Sequence, residues 1–422
     1  MNHWSIESLS EKMHDFCNLS LTGQHELLEY MITYFPPQKF KQQLSMRSKA
    51  LQNMENAKNT LEGATQSFPS FIEANSIDTN PESLHGFAFV LTAGGEGERL
   101  RLSLQKNGLD PAKLIDFTKA TFPLPGFFNE FGTLQINLAM INHFCKSTNH
   151  DIPVVITTGP HNSVTARVIP KILKQYNNFG LRHVRVIEQD ERLHFLNDEK
   201  IAYKIENEKP LPVTQPDETG GPLMKLKQTS DSQPRSILDW FEELGCDKTI
   251  VVQATALYHQ ELLPKMAQAL GNHDCLGTGI LRNEFSDKDP FGTFVTIKKG
   301  SSVSTQILEQ EIRNENTRTI KDQSGKFFLP FNTGFYAFRN QLLKNNMLPD
   351  YATPPKEVNP SLPRSPKIGY AATDLLPIAD NPVILTIDQS HFRVLKTASD
   401  LDALSEFGNT FKLDSFCREI EI

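Results

Sequence analysis

A glycine-rich loop followed by basic residues is the segment of this sequence best suited to binding phosphate. Gly94, Gly95 and Gly97 follow the apolar run FAFVLTA, and Arg99 and Lys113 come after them. Glycines leave the backbone N–H groups unobstructed by β-carbons, so such a loop can wrap around a phosphate. Guanidinium and ammonium groups can then neutralise a polyphosphate. The spacing GGxG is neither the dinucleotide motif GxGxxG nor the Walker A motif, so by itself the loop could also be a tight turn with surface arginines.

The segments around this loop alternate between short apolar runs and helical stretches. The strand-like runs are FAFVLTA, IPVVITT, VRVIEQ, KTIVVQA, GTGILR and FGTFVTI. The helical stretches between them include GTLQINLAMINHFCKS, SVTARVIPKILKQY, SILDWFEELG and QELLPKMAQALG. This alternation predicts βαβ units and an α/β fold with a mostly parallel sheet flanked by helices. We expect an N-terminal helical region at 1–80, a catalytic α/β domain at 81–380 and a small α/β segment at 381–422.

Composition narrows the class of protein. The 422 residues carry a net charge of −7, so nothing favours a nucleic-acid partner, for which a basic face is expected. The five cysteines are scattered and never spaced as CxxC, which favours reduced thiols over disulfides or zinc. The first residues are polar, and no apolar run is long enough to span a bilayer. We therefore expect a cytoplasmic protein with neither a nucleic-acid partner nor a membrane partner; the oligomeric state stays open.

The segment LTAGGEGERL, followed by PAKLIDF, resembles the signature loop of the sugar-nucleotide pyrophosphorylases. The chain is most similar to eukaryotic-type UDP-N-acetylglucosamine pyrophosphorylases and their UDP-glucose pyrophosphorylase relatives. Eight further segments resemble that family in its own order: LTGQHELLEYM, TLQINLAMI, VITTGPHN, VIEQDERLHFLNDEKIAY, TQPDETGGPLMKL, EFSDKDPFGTFV, FFLPFNTGFYAF and SHFRVLKTASDL. The resemblance implies a GT-A-like, Rossmann-like nucleotidyltransferase fold.

The implied reaction joins UTP and a sugar 1-phosphate to give a UDP-sugar and pyrophosphate. The substrates would therefore be UTP and either N-acetylglucosamine 1-phosphate or glucose 1-phosphate. The N-terminal helix, ETGGPLMKL and DPFG favour the first sugar, whereas FRVLKTASDL favours the second. Such phosphoryl chemistry needs positioning and charge neutralisation more than a covalent nucleophile.

The resemblance also assigns roles to individual residues, each of which taken alone could be an ordinary surface or turn residue. The implied catalytic residues, which would hold the phosphates, are Arg99, Lys113 and Lys396. The implied nucleotide-binding residues are Gly94, Gly95, Gly97, Gln189, Gly220 and Gly221, with Gln189 reading the uracil. The implied sugar-binding residues are Asn332 and, if one gap is allowed, Glu284.

The sequence departs from the family at the residue that should bind metal. The resemblance implies Mg²⁺, held by an aspartate after KTIVVQA, but Ala254 or Thr255 stands there. Because Mg²⁺ is normally held by carboxylates together with phosphates and water, this loss matters. Asp217 or Asp374 could substitute, so the metal ligands stay unknown. Glu98 also replaces the usual threonine of the loop. Two hypotheses remain: a uridylyltransferase with altered metal binding, or a catalytically degenerate paralogue that binds nucleotide sugars or regulates.

Overall fold

A computed structural model describes residues 3–95, 97–206, 208–229, 234–285, 291–310, 312–355 and 362–420. Within it the chain forms two compact units, and neither is continuous in sequence. The helical unit consists of the chain up to Gly63 together with Asp190–Gly221 and Leu348–Ala372. The sheet unit consists of Ala64–Gln189, Pro222–Met347 and the chain from Thr373 onwards. These limits differ from the boundaries expected at 80/81 and 380/381, because two inserted segments join the N-terminal helices.

The strands and helices of the described residues follow in chain order. The strands are β1 Thr65–Ser67, β2 Phe71–Glu73, β3 Phe87–Thr92, β4 Val154–Thr158, β5 Val184–Glu188, β6 Glu191–Leu193, β7 Tyr203–Glu206, β8 Lys209–Pro212, β9 Thr214–Pro216, β10 Lys248–Gln253, β11 Ala256–Tyr258, β12 Cys275–Arg282, β13 Thr293–Lys299, β14 Ser302–Leu308, β15 Phe328–Arg339, β16 Asp350–Ala352, β17 Ile368–Tyr370, β18 Pro382–Asp388 and β19 Phe392–Val394. The α-helices are α1 Ile6–Lys12, α2 Leu21–Tyr34, α3 Pro37–Leu61, α4 Glu98–Lys106, α5 Thr133–Thr148, α6 Val164–Gln175, α7 Gly221–Leu226, α8 Ile237–Glu243, α9 Leu262–Leu270, α10 Glu315–Thr319, α11 Asn340–Asn345, α12 Asp400–Thr410 and α13 Asp414–Arg418. Short 3₁₀ helices lie at Phe16–Asn18, Ala74–Ser76, Pro81–Leu84, Pro111–Leu114, Lys119–Thr121, Phe128–Glu130, Asn177–Gly180, Ala372–Leu375 and Gln389–His391.

The sheet unit is built around one central sheet with the strand order β2-β18-β12-β15-β10-β3-β4-β5. Neighbours in this order run parallel, except that β15 is antiparallel to both β12 and β10. Strands β3 and β4 are apolar and almost wholly buried, as expected of parallel strands covered on both faces. The predicted α/β fold with a mostly parallel sheet and flanking helices is confirmed.

Segments from both regions that were expected to lie outside the α/β domain belong to the sheet unit. Strand β2, from the region expected to be helical, pairs with β18, and β18 pairs with β12 in the interior of the sheet. The C-terminal helix α13 packs against α5. The segment 381–422 is therefore part of the sheet unit, since pairing between distant strands leaves no trace in local sequence patterns.

The helical unit has an apolar core of its own. Helix α2 begins after Ser20, whose hydroxyl accepts a hydrogen bond from the Gly23 N–H at 3.2 Å. Leu27 and Met31 of α2 are buried together with Leu193 and Ile201. The N-terminal helices therefore bury their apolar faces against the inserted segment 190–221. Segments that are distant in sequence therefore share one core, and this is why the helical unit is discontinuous in the chain.

The cysteines and the helices were also subjects of sequence-based expectations. The cysteines Cys17, Cys145, Cys246, Cys275 and Cys417 are all free thiols. Of the helices in the described ranges, none combines the length and apolar character needed to cross a bilayer.

Candidate nucleotide-binding and catalytic site

The glycine loop connects β3 to α4 at the carboxyl edge of the central sheet. Gly97 caps α4 with a left-handed backbone, φ +74°. A β-carbon there would lie 2.7 Å from Cβ of Lys119, so the position requires glycine for both conformation and space. Gly95 is exposed, and a β-carbon on it would meet nothing within 4 Å. Glu98 lies exposed in the first turn of α4, where the helix dipole favours a carboxylate.

Gln189 lies against this loop. It directly follows β5, and its N–H donates to the carbonyl of Thr158 at the end of β4 at 3.2 Å. A β-carbon on Gly94 would be 2.7 Å from Oε1 of Gln189. Because β3, β4 and β5 are parallel neighbours, their carboxyl ends bring the loop and the carboxamide together. Ligands of open α/β sheets bind at this edge.

Four basic side chains gather beside the loop. This cationic cluster comprises Arg99, Lys119, Arg282 and Lys396. Burial, followed by the charges of Arg99 and Lys396, lowers the pKa of Lys119 to about 8. Burial and the charge of Arg99, with a smaller effect of Arg282, lower the pKa of Lys396 to about 8, although Asp400 acts in the opposite direction. Mutual depression of this kind means that the cations lie close enough to repel one another.

The Lys396 segment is held in place by the first turn of α12. The Asp400 carboxylate accepts hydrogen bonds from the N–H groups of Lys396 at 2.9 Å and Thr397 at 2.7 Å. The Ala398 N–H donates to Oγ of Ser103 in α4 at 3.2 Å, which ties this segment to the helix that follows the glycine loop. Two segments that lie 295 residues apart in the chain thus meet at one place.

Aromatic rings support the other side of the cluster. Nζ of Lys396 lies 3.5 Å from the centroid of the Phe291 ring. The guanidinium of Arg282 lies 4.5 Å from the Phe331 ring and 5.7 Å from the Phe291 ring. Burial lowers the pKa of Arg282, which is an end residue of β12. Cation–π contacts of this kind restrict where the two cationic groups lie.

Lys119 was missed by sequence reasoning, which assigned its place to Lys113. Lys113 is exposed in the 3₁₀ helix Pro111–Leu114, whereas the backbone of Lys119 packs against Gly97. In the described part of the chain, the lysine that joins Arg99 and Lys396 is therefore Lys119. PAKL and FTKA both offer a lysine after the loop, and only the path of the chain between them distinguishes the two.

Asn332 lies where β15 departs from regular pairing with β12. Asn332 is opposite Gly279 and Tyr336 is opposite Gly277, so β15 carries extra residues between them. Gly334, in this bulge, has φ +77°. The Asn332 carboxamide accepts from the Gly334 N–H at 2.9 Å and donates to the Tyr336 hydroxyl at 3.0 Å. Bulges of this kind redirect side chains next to active sites.

Glu309 is a second residue that sequence reasoning missed. Its carboxylate lies 3.4 Å from the place of a β-carbon on Gly292, and the Gly292 carbonyl accepts from the Asn332 N–H at 2.8 Å. Glu309 also contributes to raising the pKa of Tyr336, the hydrogen-bond partner of Asn332, although burial is the main cause. Glu284, by contrast, is exposed in the turn after β12. The half-buried carboxylate beside Asn332 is thus Glu309; the segment after Glu284 lies partly outside the described residues.

Gly220 and Gly221 belong to the helical unit. The Gly220 N–H donates to the Tyr370 carbonyl at 2.7 Å, and a β-carbon on Gly220 would lie 2.7 Å from the Tyr370 carbonyl carbon. A β-carbon on Gly221 would collide with the carboxylate of Asp217. Packing inside the helical unit therefore already requires both glycines. Glu218, in the same turn, has a left-handed backbone with φ +61°.

The residues present at the expected metal position do not fit Mg²⁺. Ala254 is fully buried, and its carbonyl accepts from the Thr133 hydroxyl at 2.6 Å. Thr255 is 8% exposed, and its carbonyl accepts from the Leu395 N–H at 3.0 Å. Neither supplies a carboxylate, and both carbonyls already serve the fold. Among residues of known placement, no group of three or more His, Cys, Asp or Glu side chains could hold a metal ion.

The two aspartates considered as substitutes lie in surroundings of their own. Asp217, in the helical unit, is buried and lies 3.7 Å from the guanidinium of Arg192. Burial, together with the charge of Glu309, raises the pKa of Asp374 to about 7, so this carboxyl is partly protonated at neutral pH. Binding of Mg²⁺ to this carboxyl would have to displace its proton.

Comparison with solved structures identifies the fold. A UDP-N-acetylglucosamine pyrophosphorylase of Trypanosoma brucei, solved with an inhibitor, matches at a TM-score of 0.67 and 15% identity, covering 91% of this chain and 79% of that one. A point mutant of Leishmania major UDP-glucose pyrophosphorylase matches at a TM-score of 0.61 and 16% identity, and the match covers 92% of this chain and 79% of that one. Another mutant of that enzyme, solved with UDP-glucose, matches at 0.60 and 16%, with the same coverage. The sequence matches no family model and no curated protein.

These matches, together with the glycine loop at the carboxyl edge of a mostly parallel sheet, define a nucleotidyltransferase-like α/β protein. More narrowly, the fold is that of the UDP-sugar pyrophosphorylases, over 91–92% of this chain. At 15–16% identity the matches establish the fold, whereas activity depends on the residues of the site.

Proposed function

We propose that this protein is a uridylyltransferase that converts UTP and a sugar 1-phosphate into a UDP-sugar and pyrophosphate. The observation that carries the proposal is the meeting of a glycine loop, a carboxamide and a cluster of cations at one edge of the sheet. Gly94 and Gln189 would hold the uridine and the first phosphates. Arg99, Lys119 and Lys396 would hold the remaining phosphates, a role that the sequence had assigned in part to Lys113.

The chemistry requires alignment and charge stabilisation. A phosphate oxygen of the sugar 1-phosphate attacks the α-phosphorus of UTP and forms a new P–O bond. The bond from the α-phosphorus to the oxygen that bridges to the β-phosphorus breaks, and pyrophosphate leaves with the electron pair. No redox step or covalent enzyme intermediate is needed. Fixed cations that face the leaving group favour the transition state, where negative charge shifts onto pyrophosphate.

We propose N-acetylglucosamine 1-phosphate or glucose 1-phosphate as the sugar substrate. The support is that the structures of similar fold include pyrophosphorylases of both kinds. Asn332 and Glu309 offer an amide and a carboxylate, which suit the hydroxyl groups of a sugar. In this proposal Glu309 takes the place that the sequence had assigned to Glu284. We also propose a cytoplasmic location, supported by the free thiols.

The test is pyrophosphate release from UTP over a panel of sugar 1-phosphates, with CTP, ATP and GTP as controls. We expect release with UTP and with one or both of these sugars. If no combination of nucleotide and sugar 1-phosphate releases pyrophosphate, the proposal is contradicted.

A second candidate function is a catalytically degenerate paralogue that binds nucleotide sugars in a regulatory role. The presence of Ala254 and Thr255 where a metal ligand is expected favours it. This candidate predicts that UDP-N-acetylglucosamine or UDP-glucose binds in a calorimetric titration while turnover is absent with every metal. Any sugar-dependent turnover of UTP would eliminate it.

A further inference from the structure

We infer that the cationic cluster, with Arg282 as a previously unassigned member, neutralises the polyphosphate in place of a divalent cation. This inference rests on the proposed function for its ligand, UTP, and goes beyond it in naming the source of positive charge. A missing metal ligand would otherwise imply a loss of activity, whereas this inference implies that activity is retained without the metal.

At the position of the missing ligand, after β10, no carboxylate or free carbonyl of Ala254 or Thr255 is available to bind a metal ion. Ala254 and Thr255 supply no carboxylate, and their carbonyls are engaged by Thr133 and by the Leu395 N–H. A metal bridging the phosphates would therefore have no protein anchor at the end of β10. The polyphosphate nevertheless needs positive charge to approach and react.

Among the described residues, the charges that act on the two lysines of the cluster are mostly positive. Beyond the effect of burial, Arg99 and Lys396 lower the pKa of Lys119, Arg99 and Arg282 lower the pKa of Lys396, and Asp400 opposes both shifts. Asp400 is itself occupied with the N–H groups of Lys396 and Thr397. Cations held together against their mutual repulsion are typical of a site that is completed by a polyanion.

Arg282 is placed to add a fixed charge to this group. Its guanidinium stacks on Phe331, and its charge is felt at Lys396, whose Nζ covers the neighbouring Phe291 ring. Arginine presents a planar donor fork that matches phosphate oxygens, and it stays charged throughout the accessible pH range. Arg282 therefore supplies a fixed charge where a metal would supply one elsewhere.

In the proposed step, the bond between the α-phosphorus of UTP and the bridging oxygen breaks as the sugar phosphate oxygen bonds to phosphorus. The negative charge that leaves with pyrophosphate moves toward Arg99, Lys119, Arg282 and Lys396. No proton has to be transferred for this displacement, so side-chain cations are sufficient partners.

The experiment titrates the full-length protein with pyrophosphate and with UTP in excess EDTA, then repeats both titrations with Mg²⁺. We expect binding in EDTA, and turnover of UTP in EDTA as fast as in Mg²⁺. The Arg282→Met variant keeps the stem over the rings but removes the charge, and we expect it to weaken pyrophosphate binding in EDTA about tenfold. Arg282→Lys should recover most of that loss. Arg185→Met is the matched control, since Arg185 stacks on Trp240 at 4.0 Å outside the cluster.

Three outcomes would overturn the inference. The first is binding of pyrophosphate and UTP only when Mg²⁺ is present. The second is a loss of turnover in EDTA of about 100-fold or more, as loss of a main electrostatic contact produces. The third is an Arg282→Met variant that binds pyrophosphate as tightly as the wild type. The last two leave the proposed function standing. Tight metal-free binding without any turnover would instead support the inference and contradict the proposed function.

Discussion

Lys119 lies directly against Gly97, so closely that a β-carbon on the glycine would be 2.7 Å from Cβ of the lysine. This contact fixes the start of the Lys119 side chain beside the loop that we propose to hold the phosphates of UTP. It also explains how a lysine well beyond the loop in sequence becomes part of the same site, whereas Lys113 stays exposed.

The first prediction distinguishes these two lysines. Lys119→Ala should lower kcat/KM for UTP by about 100-fold, because it removes a charge that faces the leaving pyrophosphate. Lys113→Ala should leave kcat/KM close to that of the wild type, since the side chain is exposed. Steady-state pyrophosphate release checks both, with circular dichroism as the control for folding. The reverse pattern would return the catalytic role to Lys113.

The second prediction concerns recognition of the base. Gln189→Ala should raise the Kd for UTP about 30-fold, because two hydrogen bonds of about 1 kcal/mol each are lost. The Kd for pyrophosphate should stay unchanged, because the carboxamide lies over Gly94 and does not belong to the cationic cluster. Calorimetric titration measures both constants. An equal loss for the two ligands would show that Gln189 supports the loop and does not read the uracil.

The third prediction is a pH dependence of ligand binding. The pKa values of Lys119 and Lys396 are lowered to about 8 from 10.5. Both lysines are therefore charged below pH 8 and lose their protons as the pH rises through that value. Pyrophosphate affinity should fall across this range, even though Arg99 and Arg282 remain charged. Calorimetry from about pH 7 to about pH 9.5 in a buffer series provides the check, and an affinity that rises with pH would contradict it.

The same shifts predict the sign of the change in stability. Between pH 8 and 10.5 the unfolded chain binds more protons than the folded chain at these two lysines. Their contribution to the free energy of unfolding should therefore increase with pH over this window. Lys119→Met should flatten that dependence, which denaturant titrations at several pH values would measure. A steeper slope in the variant would mean that the pKa shift has the opposite direction.

The fifth prediction concerns the turn at Glu218. Its φ of +61° is a conformation that favours glycine. Glu218→Gly should be more stable to unfolding than Glu218→Ala by about 1 kcal/mol, because only the β-carbon differs between the two variants. Chemical denaturation compares them directly. Equal stability would indicate that the turn relaxes to another conformation once the glutamate side chain is removed.

Much of the fold and part of the site could be predicted from the sequence. The buried strands β3, β4 and β10 are visible as apolar runs, because parallel strands covered on both faces need them. The glycine loop of the candidate site was found from its residues and Gln189 from the resemblance to one family, and in the structure Gln189 lies against Gly94.

The rest depended on contacts between distant segments. Nothing local shows that β18 enters the sheet beside β12, or that the segments 190–221 and 348–372 join the N-terminal helices. For the same reason the sequence indicated Lys113 and Glu284 as site residues, whereas in the folded chain Lys119 lies beside the glycine loop and Glu309 lies near Asn332.

The sequence by itself determined which strands are buried, where the glycine loop lies and that the expected metal ligand is missing. The first two are properties of residue type and short spacing, and the third follows from the resemblance to the pyrophosphorylases. Only the tertiary structure decided which cations meet: Arg99, Lys119, Arg282 and Lys396 come from four separate segments. The physical reason is that electrostatic repulsion and attraction depend on distance in space, and that distance is set by strand order and packing.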